Sequence, residues 1–149
     1  MSRQKSGGFT LLEILVVVLI ITVLATIVGV NVAREPGKAR VAAATAQIQA
    51  FRTALQLYQM EQGRIPTQEQ GLQALCTCPT VEPIPERYPE NGYLDSRTVP
   101  LDPWGHPYVY LVPGTTGEPY EIISYGSDGE PGGTGEAADI SSAKLSSQR

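Results

Sequence analysis

The sequence predicts an α+β fold: one long N-terminal helix, apolar in its first half and amphipathic in its second, carrying a small antiparallel β-sheet head. Three observations predict it. Residues 9–33 form a run of 25 with a single charge, Glu13. Apolar residues then recur at steps of three and four over 41–58. Two short segments rich in β-branched and aromatic residues follow over 108–112 and 120–125. The chain of 149 residues is one domain's worth of polymer. Its formal charge of −4 argues against binding nucleic acid by phosphate neutralisation. Two cysteines make neither a disulfide scaffold nor a four-cysteine zinc site. A single histidine, His106, argues against histidine-rich metal catalysis.

Residues 1–8 are polar, basic at Arg3 and Lys5, and end in two glycines. Residues 14–33 carry no charge and, as a helix, span ~30 Å, the thickness of a bilayer core. The basic flank is expected to stay in the cytoplasm and leave the C-terminal bulk outside. A cleaved secretory signal fits poorly, because its apolar region is usually ~7–15 residues and ends in an A-x-A site. Glu13 inside an apolar span costs roughly 2.5–3.5 kcal/mol, so it either reaches water at the interface or has a partner. Arg34-Glu35-Pro36-Gly37 then breaks the run, as a helix end with a linker or as a kink within one helix.

Val41, Ala44, Ile48, Phe51, Leu55 and Tyr58 line one face of the second helical segment, which Gly63 caps. Thr67 and Gln70 make a capping box for a short helix. Cys76-Thr77-Cys78 follows, either as free thiols or as a strained local disulfide. Residues 79–100 hold five prolines and read as an irregular connection. Asp102 and Gly105 shape a turn, with Trp104 and Tyr108 expected in the head core. No nucleophile or second base stands near His106 in sequence, so a catalytic role is not expected. Residues 108–112 and 120–125 form a hairpin around the turn at 113–117. Residues 126–140 are glycine-rich and acidic, with no Lys or Arg. That composition excludes a phosphate-cradling loop, and its acids lack EF-hand spacing. It fits either a flexible acidic tail or, with Asp128 and Asp139 closing the loop, a calcium site.

Gly8-Phe9-Thr10-Leu11-Leu12-Glu13, followed by the apolar run, resembles the class III signal of type IV pilins and type II secretion pseudopilins. Pro66-Thr67-Gln68-Glu69-Gln70-Gly71-Leu72-Gln73-Ala74-Leu75 and Asp102-Pro103-Trp104-Gly105-His106-Pro107-Tyr108 are similar to two segments of the major pseudopilins, and the resemblance spans residues 8–140. It implies a type IV pilin-like fold in four parts: a leader over 1–8, a transmembrane and assembly helix over 9–33, its amphipathic half over 34–63, and a periplasmic head over 64–149. It also implies cleavage after Gly8 by a prepilin peptidase, N-methylation of Phe9, and pairing of Glu13 with the terminal amine of a neighbouring subunit. Loss of Arg3 and Lys5 leaves nine basic residues against fifteen acids, a formal −6. Pseudopilins often carry a proline near Val30 before an asparagine; here Asn31 is kept and the proline is absent, which shifts the expected bend to Pro36-Gly37.

The implied loop ligands are Asp128 and Asp139 through carboxylates and Tyr125, Glu130 and Thr134 through carbonyls, holding one Ca²⁺. Ala138 stands where many relatives carry another acid. The implied function is that of a structural subunit, not an enzyme. It would polymerise with itself and with minor pseudopilins on an inner-membrane assembly platform. The product would be a periplasmic pseudopilus that helps export folded proteins. The alternative is a surface type IV pilin for adhesion or motility, disfavoured by the two head strings and by the absence of a C-terminal cysteine pair.

Overall fold

The computed structural model describes the backbone of residues 9–32 and 35–146, and the side chains of 9–24 and 36–145. The chain divides into two compact units, residues 1–36 and 37–149.

The first unit holds helix α1, Leu11–Val32. Its described side chains, from Phe9 to Leu24, are all exposed. Among the described residues no helix is long and apolar enough to cross a membrane. Side chains of α1 are described only to Leu24, so the expected span over 14–33 lies partly outside them.

Helix α2, Glu35–Gln62, supplies the wall of the head. Pro36 sits in its first turn, where a missing N–H costs nothing because that donor has no intrahelical partner. The expected stripe is buried beyond its first residue: Val41 is half-buried, Ala44, Ile48, Phe51, Leu55 and Tyr58 are fully inaccessible, and Ala54 joins them. Full burial of such large side chains contributes ~1.5–3 kcal/mol each. Phe51 meets Tyr108 edge to face, with ring centroids 5.0 Å apart. Gly63 ends the helix with a φ of 71°, and its N–H donates to the Gln59 carbonyl at 2.9 Å. The capping box is reciprocal: the Thr67 N–H donates to Gln70 Oε1 at 3.1 Å, and the Gln70 N–H donates to Thr67 Oγ1 at 3.2 Å. It opens a turn that leads into a single 3-10 segment, Leu72–Leu75, shorter than the expected helix.

The sheet is three-stranded and antiparallel in the order β1-β2-β3, with β1 Val109–Leu111, β2 Glu121–Ser124 and β3 Ile140–Ser141. The expected hairpin pairs Val109 with Ile123 and Leu111 with Glu121. β3, which pairs Ile140 with Ser124, and the short helix α3, Ser142–Ser146, were not expected. β2 is buried at all four positions, because it is central in the sheet and covered on both faces. Cys76 and Cys78 are free thiols, the first buried and the second exposed; burial pushes the Cys76 thiol up, and a Ser96 hydrogen bond partly opposes it.

Glu121 stitches this sheet. Its carboxylate is buried and accepts from the Ser141 hydroxyl of β3 and from the Thr115 hydroxyl and N–H of the connecting turn. Burial raises its pKa; the Ser141 and Thr115 hydrogen bonds and the Lys144 charge lower it and prevail, so the carboxyl titrates below its ordinary value. A depressed carboxyl pKa stabilises the fold above the unfolded-state pKa, and that stability is lost as pH falls through the folded-state value. Glu121→Gln should therefore destabilise unit 37–149 at pH 7 by about 1–3 kcal/mol in urea denaturation. The gap to wild type should close as the medium is acidified below the ordinary glutamate pKa. A gap independent of pH would assign the loss to shape and not to charge.

Candidate functional site

Gly8 lies outside the described residues. Phe9 is 79% exposed. Thr10 precedes α1 and caps it: its Oγ1 accepts from the Glu13 N–H at 3.2 Å, and its carbonyl accepts from the Ile14 N–H at 3.2 Å. Thr10-Leu11-Leu12-Glu13 thus has the spacing of a capping box, a signal legible in the sequence. Glu13 stands exposed in the first turn, where the helix dipole favours an anion.

In the head, Asp102 does more than shape a turn. It is buried; Oδ1 accepts from the N–H groups of Trp104 at 3.1 Å and His106 at 2.8 Å, and Oδ2 accepts from the Ser124 hydroxyl at 2.7 Å. Ser124 Oγ in turn accepts from the Gly126 N–H at 3.3 Å. His106 Nδ1 donates to the Gly126 carbonyl at 3.0 Å, and its ring lies against Gly129, within 3.0 Å of where a Cβ would stand. The turn at 102–106 therefore holds the Gly126 carbonyl directly, through His106, and its N–H indirectly, through Ser124, where the acidic loop begins. Ser124 and this use of His106 were not foreseen, because their partners lie some twenty positions away.

The loop is folded on itself. Ser127 donates to the Glu136 carbonyl at 2.9 Å across its base. Gly126, Gly129, Gly132, Gly133 and Gly135 all have positive φ, which L side chains rarely adopt. Both oxygens of Asp139 accept from the Gly132 N–H, at 2.9 and 3.0 Å, drawing the loop's middle onto its end. Asp128 Oδ1 accepts from the Glu130 N–H at 3.3 Å in a local turn. The Thr134 carbonyl accepts from Ala137 at 3.2 Å as the chain enters the 3-10 turn Gly135–Ala137. Tyr125 follows β2 directly and is half-buried, while Glu130 is exposed. Among the described residues no three His, Cys, Asp or Glu side chains gather as metal ligands. A cation here would be held by the two carboxylates and by backbone oxygens, a donor set that suits a hard ion such as Ca²⁺ and not a soft one.

Residues 31–143 match the family model described as "Type II secretion system (T2SS), protein G", and residues 3–29 match the prokaryotic N-terminal methylation motif. The chain is 44% identical over 140 residues to the type II secretion system core protein G of Pseudomonas aeruginosa, covering 94% of this chain and 96% of that protein. It is 41% identical over 131 residues to the core protein G of Escherichia coli K12, covering 88% of each. The fold resembles the crystal structure of the major pseudopilin from the type 2 secretion system of enterohaemorrhagic Escherichia coli. That match has a TM-score of 0.61 and 38% identity, and it covers 72% of this chain and 90% of the other.

Asp102→Ala would orphan two backbone donors and the buried Ser124 hydroxyl. It should destabilise unit 37–149 by at least ~1–3 kcal/mol in urea denaturation. Asp102→Asn, which keeps one acceptor oxygen, should lose less. Equal midpoints for wild type and Asp102→Ala would show that the turn does not hold the loop.

Proposed function

The chain belongs to the type II secretion system protein G family, and from that premise we propose how its parts serve a pseudopilus. It is a structural pseudopilin subunit and not an enzyme. It forms part of a periplasmic pseudopilus that helps move folded proteins out of the cell. One observation carries this reading: a methylation motif over 3–29 runs directly into a protein G match over 31–143 in a single chain.

In this proposal a prepilin peptidase cuts after Gly8 on the cytoplasmic side, and the new terminus, Phe9, is N-methylated. Residues 9–33 hold the subunit in the inner membrane, with the head in the periplasm, until an assembly platform passes it into the filament. Minor pseudopilins join the same filament. The support is physical: a run of exposed apolar side chains from Phe9 to Leu24 must be covered by lipid or by other subunits. Glu13 pairs with the terminal amine of a neighbour, which offsets the cost of a carboxylate in apolar surroundings. One Ca²⁺ binds the loop through Asp128 and Asp139, with the carbonyls of Tyr125, Glu130 and Thr134. Support for the ion is the oxygen-only donor set and the free energy of an ordered glycine-rich loop, which costs about 1–2 kcal/mol per residue in backbone entropy.

Mass spectrometry of the mature protein should find N-methylated Phe9 as its first residue. Gly8→Val should leave the leader attached, and a terminus beyond residue 25 would overturn the processing scheme. Glu13→Ala should reach the membrane in normal amount and yet form no filament; undiminished filaments would show that the carboxylate only faces water. Unit 37–149 should melt at a higher temperature with Ca²⁺ than with chelator, by an amount equivalent to ~2.7 kcal/mol at a hundredfold excess over Kd. Asp128→Ala and Asp139→Ala should each abolish the difference. A melting curve indifferent to calcium would make the loop metal-free.

A further inference from the structure

Gly37 is buried although it stands in the first turn of α2. What covers it is Glu136. The three atoms nearest a Cβ built on Gly37 are Oε1, Cδ and Cγ of Glu136, all closer than real Cβ contacts come, Cγ at 2.9 Å, although Glu136 as a whole is exposed. The carboxylate thus occupies the space that any side chain at position 37 would need. Glu136 comes from the 3-10 turn that closes the acidic loop, and its own carbonyl receives the Ser127 N–H across the loop's base. Gly126 packs beneath the same peptide, so closely that a Cβ would stand 2.5 Å from the Glu136 carbonyl oxygen. One residue therefore locks the loop through its backbone and reaches α2 through its side chain.

We propose that Gly37 is a notch that receives the Glu136 carboxylate, and that Glu136 is the positioning residue that makes the acidic loop and the first turn of α2 order together. The inference stands on this contact and not on the calcium reading. The head unit begins at Gly37, so the contact holds the point where the head starts. Whatever orders the loop then orders that turn by the same factor, and the reverse. The contact also gives a role to Glu136, which neither the loop's acid spacing nor the family resemblance assigned one.

The test is amide hydrogen exchange on the full chain in detergent with chelator present, over a cycle of Gly37→Ala, Glu136→Ala and the double variant. Glu136→Ala alone should speed exchange both at residues 38–41 and at Ser127. Gly37→Ala alone should do the same, because the new methyl expels the carboxylate. In the Glu136→Ala background, Gly37→Ala should instead raise protection of the first turn about fivefold, since alanine is the better helix former and the notch is empty. This reversal of sign is the expected result. The same rise in both backgrounds would overturn the proposal, as would a Glu136→Ala effect confined to Ser127. Should Gly37→Ala fail to fold, rescue by the second substitution supports the notch and failure of rescue overturns it. Because chelator is present throughout, the outcome is separate from whether calcium binds.

Discussion

Ile48, Phe51, Leu55 and Tyr58 are each fully buried along one face of α2, and the rest of the head depends on that burial. The sheet has three short strands, the longest of four residues, and so little sheet cannot bury an apolar face by itself. The helix supplies the missing layer. Leu72, Leu75, Tyr108, Tyr110 and Ile122 all join the cluster centred on α2, although they come from a 3-10 turn, two strands and the residue before β1. Each irregular segment is placed by a few apolar contacts to this one wall, which is why a head with long non-repetitive connections still has a single core.

Polar groups then settle what the apolar contacts leave free. Asp102 and Glu121 are both buried, and each accepts from nearby backbone N–H groups and from one distant serine hydroxyl. Asp102 joins the signature turn to β2, and Glu121 joins β2 to β3 and to the turn after β1. A buried carboxylate is costly unless fully hydrogen-bonded, so such residues select one arrangement of the loops over many that would bury equal apolar area. The acidic loop inherits its position from this network, because Gly126 is held by both Ser124 and His106.

The N-terminal helix obeys a different constraint. Thr10 caps its first turn, and its described side chains, mostly apolar, are exposed. A helix of this kind is stable in lipid or among copies of itself and unstable in water. Under the proposed assembly, lipid and then neighbouring subunits would cover this surface.

The parts of this protein that the sequence determined by itself are those whose physics is local. A 25-residue apolar run, the three-four periodicity of α2, the glycine that caps it and the Thr67–Gln70 box all act between residues at most a few turns apart, so spacing alone reveals them. The hairpin was legible for the same reason, since its strands are joined by one turn. Tertiary structure alone decided the rest. β3 has only two residues, too few for any period to show, and exists because β2 offers it an edge. Full burial of β2, the grip of Asp102 on Ser124 and the seat of Glu136 on Gly37 join residues far apart in the chain. Nothing in the spacing of such residues encodes their meeting; it follows from how the packed helix face brings the loops around it.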